Sequence, residues 1–293
     1  MTSPIHYDAP SVGPGSSRYY SLLFLDDEHR QAATALEALR AELASIGVVT
    51  SEPTVAQAKL NWWRSEIDNL FQDTPQHPLT HALRPSVKQY NLPKEQFEEM
   101  LDGREMDLTI NRYDTFSELA LYLHRNAGVG SQMASEIFGY THRQTTKYAH
   151  ALGLATQLSE IIFNLHGDIK RDRIYLPLDE LDRFAVPVDE LRQNQHSDRL
   201  VSLLDFQAQR ARDHFTRAQE LLSDADRYAQ RSGMILARLY QLTLDEIAAD
   251  GFRVLEHRVA LTPLRKFWLA WRTHRQEKRR HRKYVRDNRL SKV

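Results

Sequence analysis

Apolar residues recur along this chain at intervals of three and four, while the period-two alternation of a half-buried strand is scarce. The pattern predicts an all-α protein. Asp26 caps a helix from Asp27 to Ile46, in which Ala33, Leu36, Leu39 and Leu43 form an apolar stripe and Gly47 supplies a stop. Ser51 and Pro53 open a second helix that carries Leu60, Trp63, Ile67 and Leu70 as far as Phe71. After a break over 73–78 comes a helix interrupted at Pro85, and Pro93 starts another bearing Phe97 and Met100. Further helices are expected at Thr115 to Phe138, Gln144 to Gly167, Ser197 to Leu222 and Ala225 to Ala249. Residues 1–16, rich in Ser, Pro and Gly, are expected to be disordered. No break in composition divides the 293 residues into two domains.

One stretch concentrates polar chemistry on this helical frame. In QLSEIIFNLHGDIKRDRIYLP, from Gln157 to Pro177, the residues Glu160, Asn164 and Asp168 lie four apart. Such spacing stacks three oxygen-bearing side chains on one helix face, which suits a hard divalent cation, and Lys170, Arg171 and Arg173 follow where a phosphate would need them. The same spacing also suits a solvated face. Leu158, Ile161, Ile162 and Leu165 make the other sides apolar, however, and a polar ladder on a largely buried helix needs a reason. His166 lies two residues from both Asn164 and Asp168 and reads as a surface histidine. Cysteine is absent, which excludes thiolate metal sites and disulfides, and no phosphate-binding glycine loop or GxSxG elbow is present.

The same stretch resembles the second aspartate-rich region of the squalene and phytoene synthases, enzymes that join two prenyl diphosphates head to head. The similarity extends to YYSLLFL at Tyr19 to Leu25, PTVAQAKLNWW at Pro53 to Trp63, MDLTINRY at Met106 to Tyr113, EIFGY at Glu136 to Tyr140 and LDEIAADGFRVL at Leu244 to Leu255. The ending LTPLRKFWLAWR, Leu261 to Arg272, is similar to the presqualene diphosphate synthases of the hopanoid pathway. The resemblance implies a single-domain isoprenoid-synthase-like helical bundle around a central cavity, over residues 17–264. It further implies diphosphate contacts from Tyr20, Ser21, Gln157, Arg171, Arg173 and Tyr175, and magnesium ligation by Glu160, Asn164 and Asp168.

At the family's first aspartate-rich motif the resemblance fails. By ungapped register the positions of its arginine and aspartates fall on Ala41, Ala44, Ser45 and Val48, none of which offers an anionic ligand. Ionising an allylic diphosphate builds charge on the leaving group, and losing about 4 kcal/mol of its stabilisation slows the step about a thousandfold. The expectation is therefore a non-catalytic member, one that binds an isoprenoid or related lipid or assists assembly of a protein partner. The alternative is an active prenyltransferase condensing two farnesyl diphosphates with fewer magnesium ions.

The net charge of zero conceals a separation. From Arg265 onward twelve Lys or Arg face only Glu277 and Asp287, a balance near +10, so the preceding body carries about −10. The segment 265–293 is expected to be a tail, aromatic at Phe267, Trp268 and Trp271 and then strongly basic. It reads as a peripheral anchor on an anionic membrane surface, ahead of a nucleic-acid contact. With no apolar run long enough to span a bilayer and no hydrophobic signal core, the expected location is cytoplasmic, at most peripheral at the inner face of the membrane.

Overall fold

The computed structural model describes residues 13–49 and 52–290, so most of the N-terminal segment expected to be disordered lies outside the described residues. Thirteen α-helices account for most of what is described, and the only β-type pairing among these residues is an isolated bridge between Arg112 and Ile174. The described residues form an all-α, single-domain helical bundle.

The helices are α1 (Ser17–Leu22), α2 (Asp27–Val49), α3 (Pro53–Phe71), α4 (Pro78–Gln89), α5 (Lys94–Thr109), α6 (Phe116–Leu123) and α7 (Val129–Phe138). They continue with α8 (Gln144–Lys170), α9 (Leu178–Arg183), α10 (Val188–Arg192), α11 (Asp198–Leu221), α12 (Arg231–Ala249) and α13 (Pro263–Leu290). The Ala33, Leu36, Leu39 and Leu43 stripe of α2 is buried in an apolar cluster shared with α3, α4, α5 and α7. A second cluster surrounds α8, which packs most extensively on α11 and also touches α7 and α12. Gly153 makes the crossing of α8 over the α6–α7 junction tight, since a Cβ there would stand 2.5 Å from the Ala127 carbonyl oxygen.

Several predicted boundaries move. Helix α2 continues through Gly47 to Val49, because glycine weakens a helix without by itself ending it. Helix α4 likewise runs through Pro85. The long helix expected over 115–138 is split by a π-turn at His124–Gly128, where the Asn126 side chain donates to the carbonyls of Gly103 and Tyr122. Helix α12 starts at Arg231 rather than Ala225. The preceding turn is held by the Asp226 carboxylate, which accepts from the backbone N–H groups of Thr141 and His142 and from the hydroxyls of Thr141 and Thr145.

The segment expected to be a tail is an integrated helix. On the inner face of α13 Ala270 is fully buried, His274 stacks on Phe24 at 4.8 Å, and His281 stacks on Tyr228 at 4.9 Å. Glu277, 2 % exposed, accepts two hydrogen bonds from Arg227 at 3.0 and 3.1 Å. The folded body therefore extends at least to residue 281 and does not stop at 264. Periodicity in this segment is masked because the inward positions are polar residues that find ionic and aromatic partners.

Candidate functional site: a cleft between α2, α5 and α8

The two halves of the bundle leave between them a cleft of about 190 Å³, the share of liquid taken by about six waters. Gln157, Glu160, Asn164 and Asp168 of α8 line it, as the four-residue spacing requires once one face of α8 is left uncovered. Arg171, Arg173 and Tyr175 line it too, through a turn that ends the helix. The backbone N–H groups of Arg171 and Arg173 both donate to the Asp168 carbonyl, at 3.0 and 2.9 Å. Asp172 between them takes a left-handed φ of 56°, which aspartate tolerates better than most residues, and its carboxylate is held by Arg112 at 2.8 Å. The chain then runs beside residues 111–114, with Ile174 N–H donating to Asn111, which leaves Tyr175 facing inward.

Other lining residues were not singled out in the sequence. Helix α5 contributes Arg104 and Asp107, and α6 contributes Tyr122. Asp107 accepts from Tyr175 Oη at 2.8 Å, from Arg104 at 3.1 Å and from Arg173 at 3.5 Å, and the Tyr122 and Tyr175 rings stack at 5.0 Å. The MDLTINRY segment carries Asp107 and was the available signal. The wall opposite α8 is α2, and there the cleft meets Ala44 and Gly47. Ser45 donates its hydroxyl to the Glu42 carbonyl of its own helix, and the Val48 side chain lies outside the described ones.

Arg18 joins the two walls. Its guanidinium donates to Glu37 of α2 and to Glu160 of α8, each at 3.0 Å, while Arg40 also donates to Glu37 and Tyr240 Oη donates to Glu160. Burial alone would lower the Arg18 pKa, yet Glu37 and Glu160 hold it above its ordinary value. Burial would raise that of Glu37, and Arg18 with Arg40 reverses this, keeping it below the usual carboxylate range. Tyr20 and Ser21 do not line the cleft. Tyr20 packs with the Ile235, Leu239, Leu261 and Ala270 cluster, and Ser21 borders a separate cavity of about 40 Å³ between α1, α2, α7, α8 and α12. His166 turns away to Asn194 at 3.0 Å.

Asp168 differs from the other carboxylates of the cleft. Burial, with the nearby charge of Asp107, pushes its pKa up to about 6, against the opposing pull of Arg171 at 2.6 Å. Among the described residues no three His, Asp or Glu side chains converge as a ready-made metal cluster. Magnesium, however, is usually held by one or two carboxylates together with substrate phosphates. The buried carboxylate of Asp168, whose one protein cation is Arg171, and the amide oxygen of Asn164 have the chemistry for that smaller role, whereas Glu160 is engaged by both Arg18 and Tyr240.

Comparison with known proteins places this arrangement. Residues 12–265 match the squalene/phytoene synthase family. Over 255 residues the chain is 30 % identical to a phytoene synthase of Mycobacterium bovis, covering 86 % of this chain and 84 % of that protein. It is 32 % identical over 233 residues to a 15-cis-phytoene synthase of Synechocystis, covering 74 % and 69 %. Among solved structures a dehydrosqualene synthase in complex with ligand superposes with a TM-score of 0.79 at 21 % identity, over 89 % of this chain and 92 % of that one. A squalene synthase from Alicyclobacillus acidocaldarius gives 0.70 at 22 % identity, over 84 % and 90 %. The chain belongs to the squalene/phytoene synthase family.

Proposed function

We propose that the cleft binds the diphosphate of a prenyl diphosphate and that the chain is a prenyltransferase with a one-sided metal site. The observation that supports it is the convergence of Arg104, Arg171, Arg173, Gln157, Asn164 and Tyr175 on one small cleft. The missing first motif led to the expectation of a non-catalytic role. Relatives that are themselves named synthases, matched over most of their length, weigh toward catalysis instead. Two farnesyl diphosphates as substrates, and with them the presqualene diphosphate branch, remain part of the proposal on the strength of the LTPLRKFWLAWR ending.

In this reading the C1–O bond of the first prenyl diphosphate breaks with its electron pair leaving on the diphosphate. Arg171, Arg173 and Arg104 meet the developing charge, with Gln157 as a hydrogen-bond donor, while Tyr175, whose hydroxyl donates to Asp107, holds that carboxylate beside Arg104 and Arg173. Preorganised cations in a partly dry site act more strongly than in water. Asp168 and Asn164 would hold a single magnesium ion, whose contribution is to neutralise diphosphate charge. The allylic cation is then captured by the double bond of the second prenyl chain, and a proton leaves the adduct.

One observation favours a second reading, in which the chain binds the ligand without turning it over. Arg18 already neutralises Glu160, and Ala44 on the facing wall supplies no oxygen. Incubation of the purified protein with farnesyl diphosphate and magnesium separates the two. Formation of presqualene diphosphate or squalene supports the prenyltransferase, saturable binding without product supports the binding protein, and absence of both removes the diphosphate site.

A further inference from the structure

We propose that the outward face of α13 is a docking surface for an anionic lipid bilayer. Ala270, Thr273 and Glu277 turn inward and are buried, and among the described residues the opposite side of the helix faces solvent. Its first turns present large apolar groups to solvent: Leu264 is 76 % exposed and Trp268 55 %, with the Trp271 ring 6.2 Å from that of Trp268. At helical spacing the same face continues as Arg275, Arg279 and Arg282, all exposed. The guanidinium of Arg275 lies over the Trp271 ring at 4.7 Å, which joins the apolar and cationic parts into one strip.

Charge decides which occupant this strip fits. The helix and the residues after it carry nearly all of the chain's positive excess, twelve basic residues against two acidic from Arg265, while the body is correspondingly negative. An anionic plane attracts α13, repels the rest and so orients the molecule with α13 down. An exposed Trp and Leu group belongs at the headgroup boundary, where an amphipathic ring is half desolvated, and has no counterpart on a nucleic-acid phosphate backbone. No described helix is long and apolar enough to cross the bilayer, so the attachment is superficial.

The test uses the full chain with vesicles of phosphatidylcholine alone and of phosphatidylcholine with phosphatidylglycerol at 7:3, measured by co-sedimentation. Binding is expected only to the anionic vesicles and declines as salt is raised, because the attraction acts within a Debye length of about 8 Å at physiological ionic strength. Each basic residue near the surface contributes about 1 kcal/mol, roughly fivefold, so the triple variant Arg275→Gln, Arg279→Gln, Arg282→Gln is expected to bind about a hundredfold more weakly. Its melting temperature checks that the fold is retained. Trp268→Ser with Trp271→Ser should lose binding that lowering the salt does not restore. Equal binding to both vesicle types, unchanged binding of the triple variant, or tight binding of single-stranded RNA without vesicle binding overturns the proposal.

Discussion

Helices α2 and α8 line the same cleft and contribute to it in opposite ways. Helix α8 presents an amide, a carboxylate, a second amide and a second carboxylate in successive turns, then two arginines, whereas α2 presents Ala44 and Gly47. The α2 carboxylate linked to α8 is Glu37, which borders the separate small cavity and is paired with Arg18 and Arg40. A polar group on a packed helix persists only if something satisfies it. On α8 the carboxylates of Glu160 and Asp168 are met by Arg18 and Arg171 in the same way, and what sets this wall apart is that Gln157 and Asn164 also line the cleft, where α2 offers Ala44 and Gly47. In the proposed function this asymmetry gives ligand recognition to α8 and its following turn, and cohesion to α2.

The contrast is broken most strongly at the ion pair that spans it. Arg18→Ala leaves Glu37 buried with one partner fewer and Glu160 without its cation. Removing one member of such a pair costs about 4 kcal/mol, and the expected result is a fall in melting temperature of roughly 10 °C. An unchanged melting curve would mean that the two walls are not held together through Arg18.

Acid–base behaviour of Asp168 gives the next largest effect. The folded chain keeps this proton up to about pH 6, while the ordinary aspartate value is 3.8, so between these values the folded state binds more protons than the unfolded one. Stability is therefore expected to fall as pH rises through this window, by up to about 3 kcal/mol, and to level off above it. Urea melts from pH 4 to 7 should show that slope, and Asp168→Asn should remove it. Magnesium affinity should run the other way, weakening as pH drops through about 6, because a cation needs the carboxylate.

The double variant Arg171→Gln with Arg173→Gln tests the α8 wall itself. Two charge-assisted hydrogen bonds are worth about 3 kcal/mol or more together, so titration calorimetry should show binding of inorganic diphosphate weakened at least a hundredfold. The smallest change sharpens the comparison from the other side. Ala44→Asp places a carboxylate on the bare wall and should improve magnesium-dependent binding about tenfold while weakening binding without the metal. An increase in metal-free binding would contradict the assignment of the walls.

The α8 ladder was legible because both pieces of information are local. A spacing of four determines a shared face, and apolar residues at the intervening positions determine that the remaining faces are buried. The contribution of Arg104 and Asp107 was not legible in the same way, since Asp107 meets Arg173 and Tyr175 across more than sixty residues of sequence, and only the packing of α5 beside the turn at Asp172 brings them together. Arg18 lies further still from Glu160, 142 residues along the chain, and nothing local distinguishes it from a surface arginine. Tyr20 and Ser21 show the converse, since a segment can match while its side chains face another cavity.

From its sequence alone this protein was determined to be all-α, with the family resemblance, the empty α2 positions and the charge separation of the last helix all readable, because helical periodicity and composition need no partner. Tertiary structure decided what each helix end and each polar residue does. Pro85 stays helical because its neighbours are packed, the 115–138 segment breaks at a π-turn under the crossing of α8, and the basic tail becomes a docked helix because Glu277 finds Arg227. These outcomes depend on energies of burial and pairing between distant segments, and such energies exist only once the chain has brought the segments together.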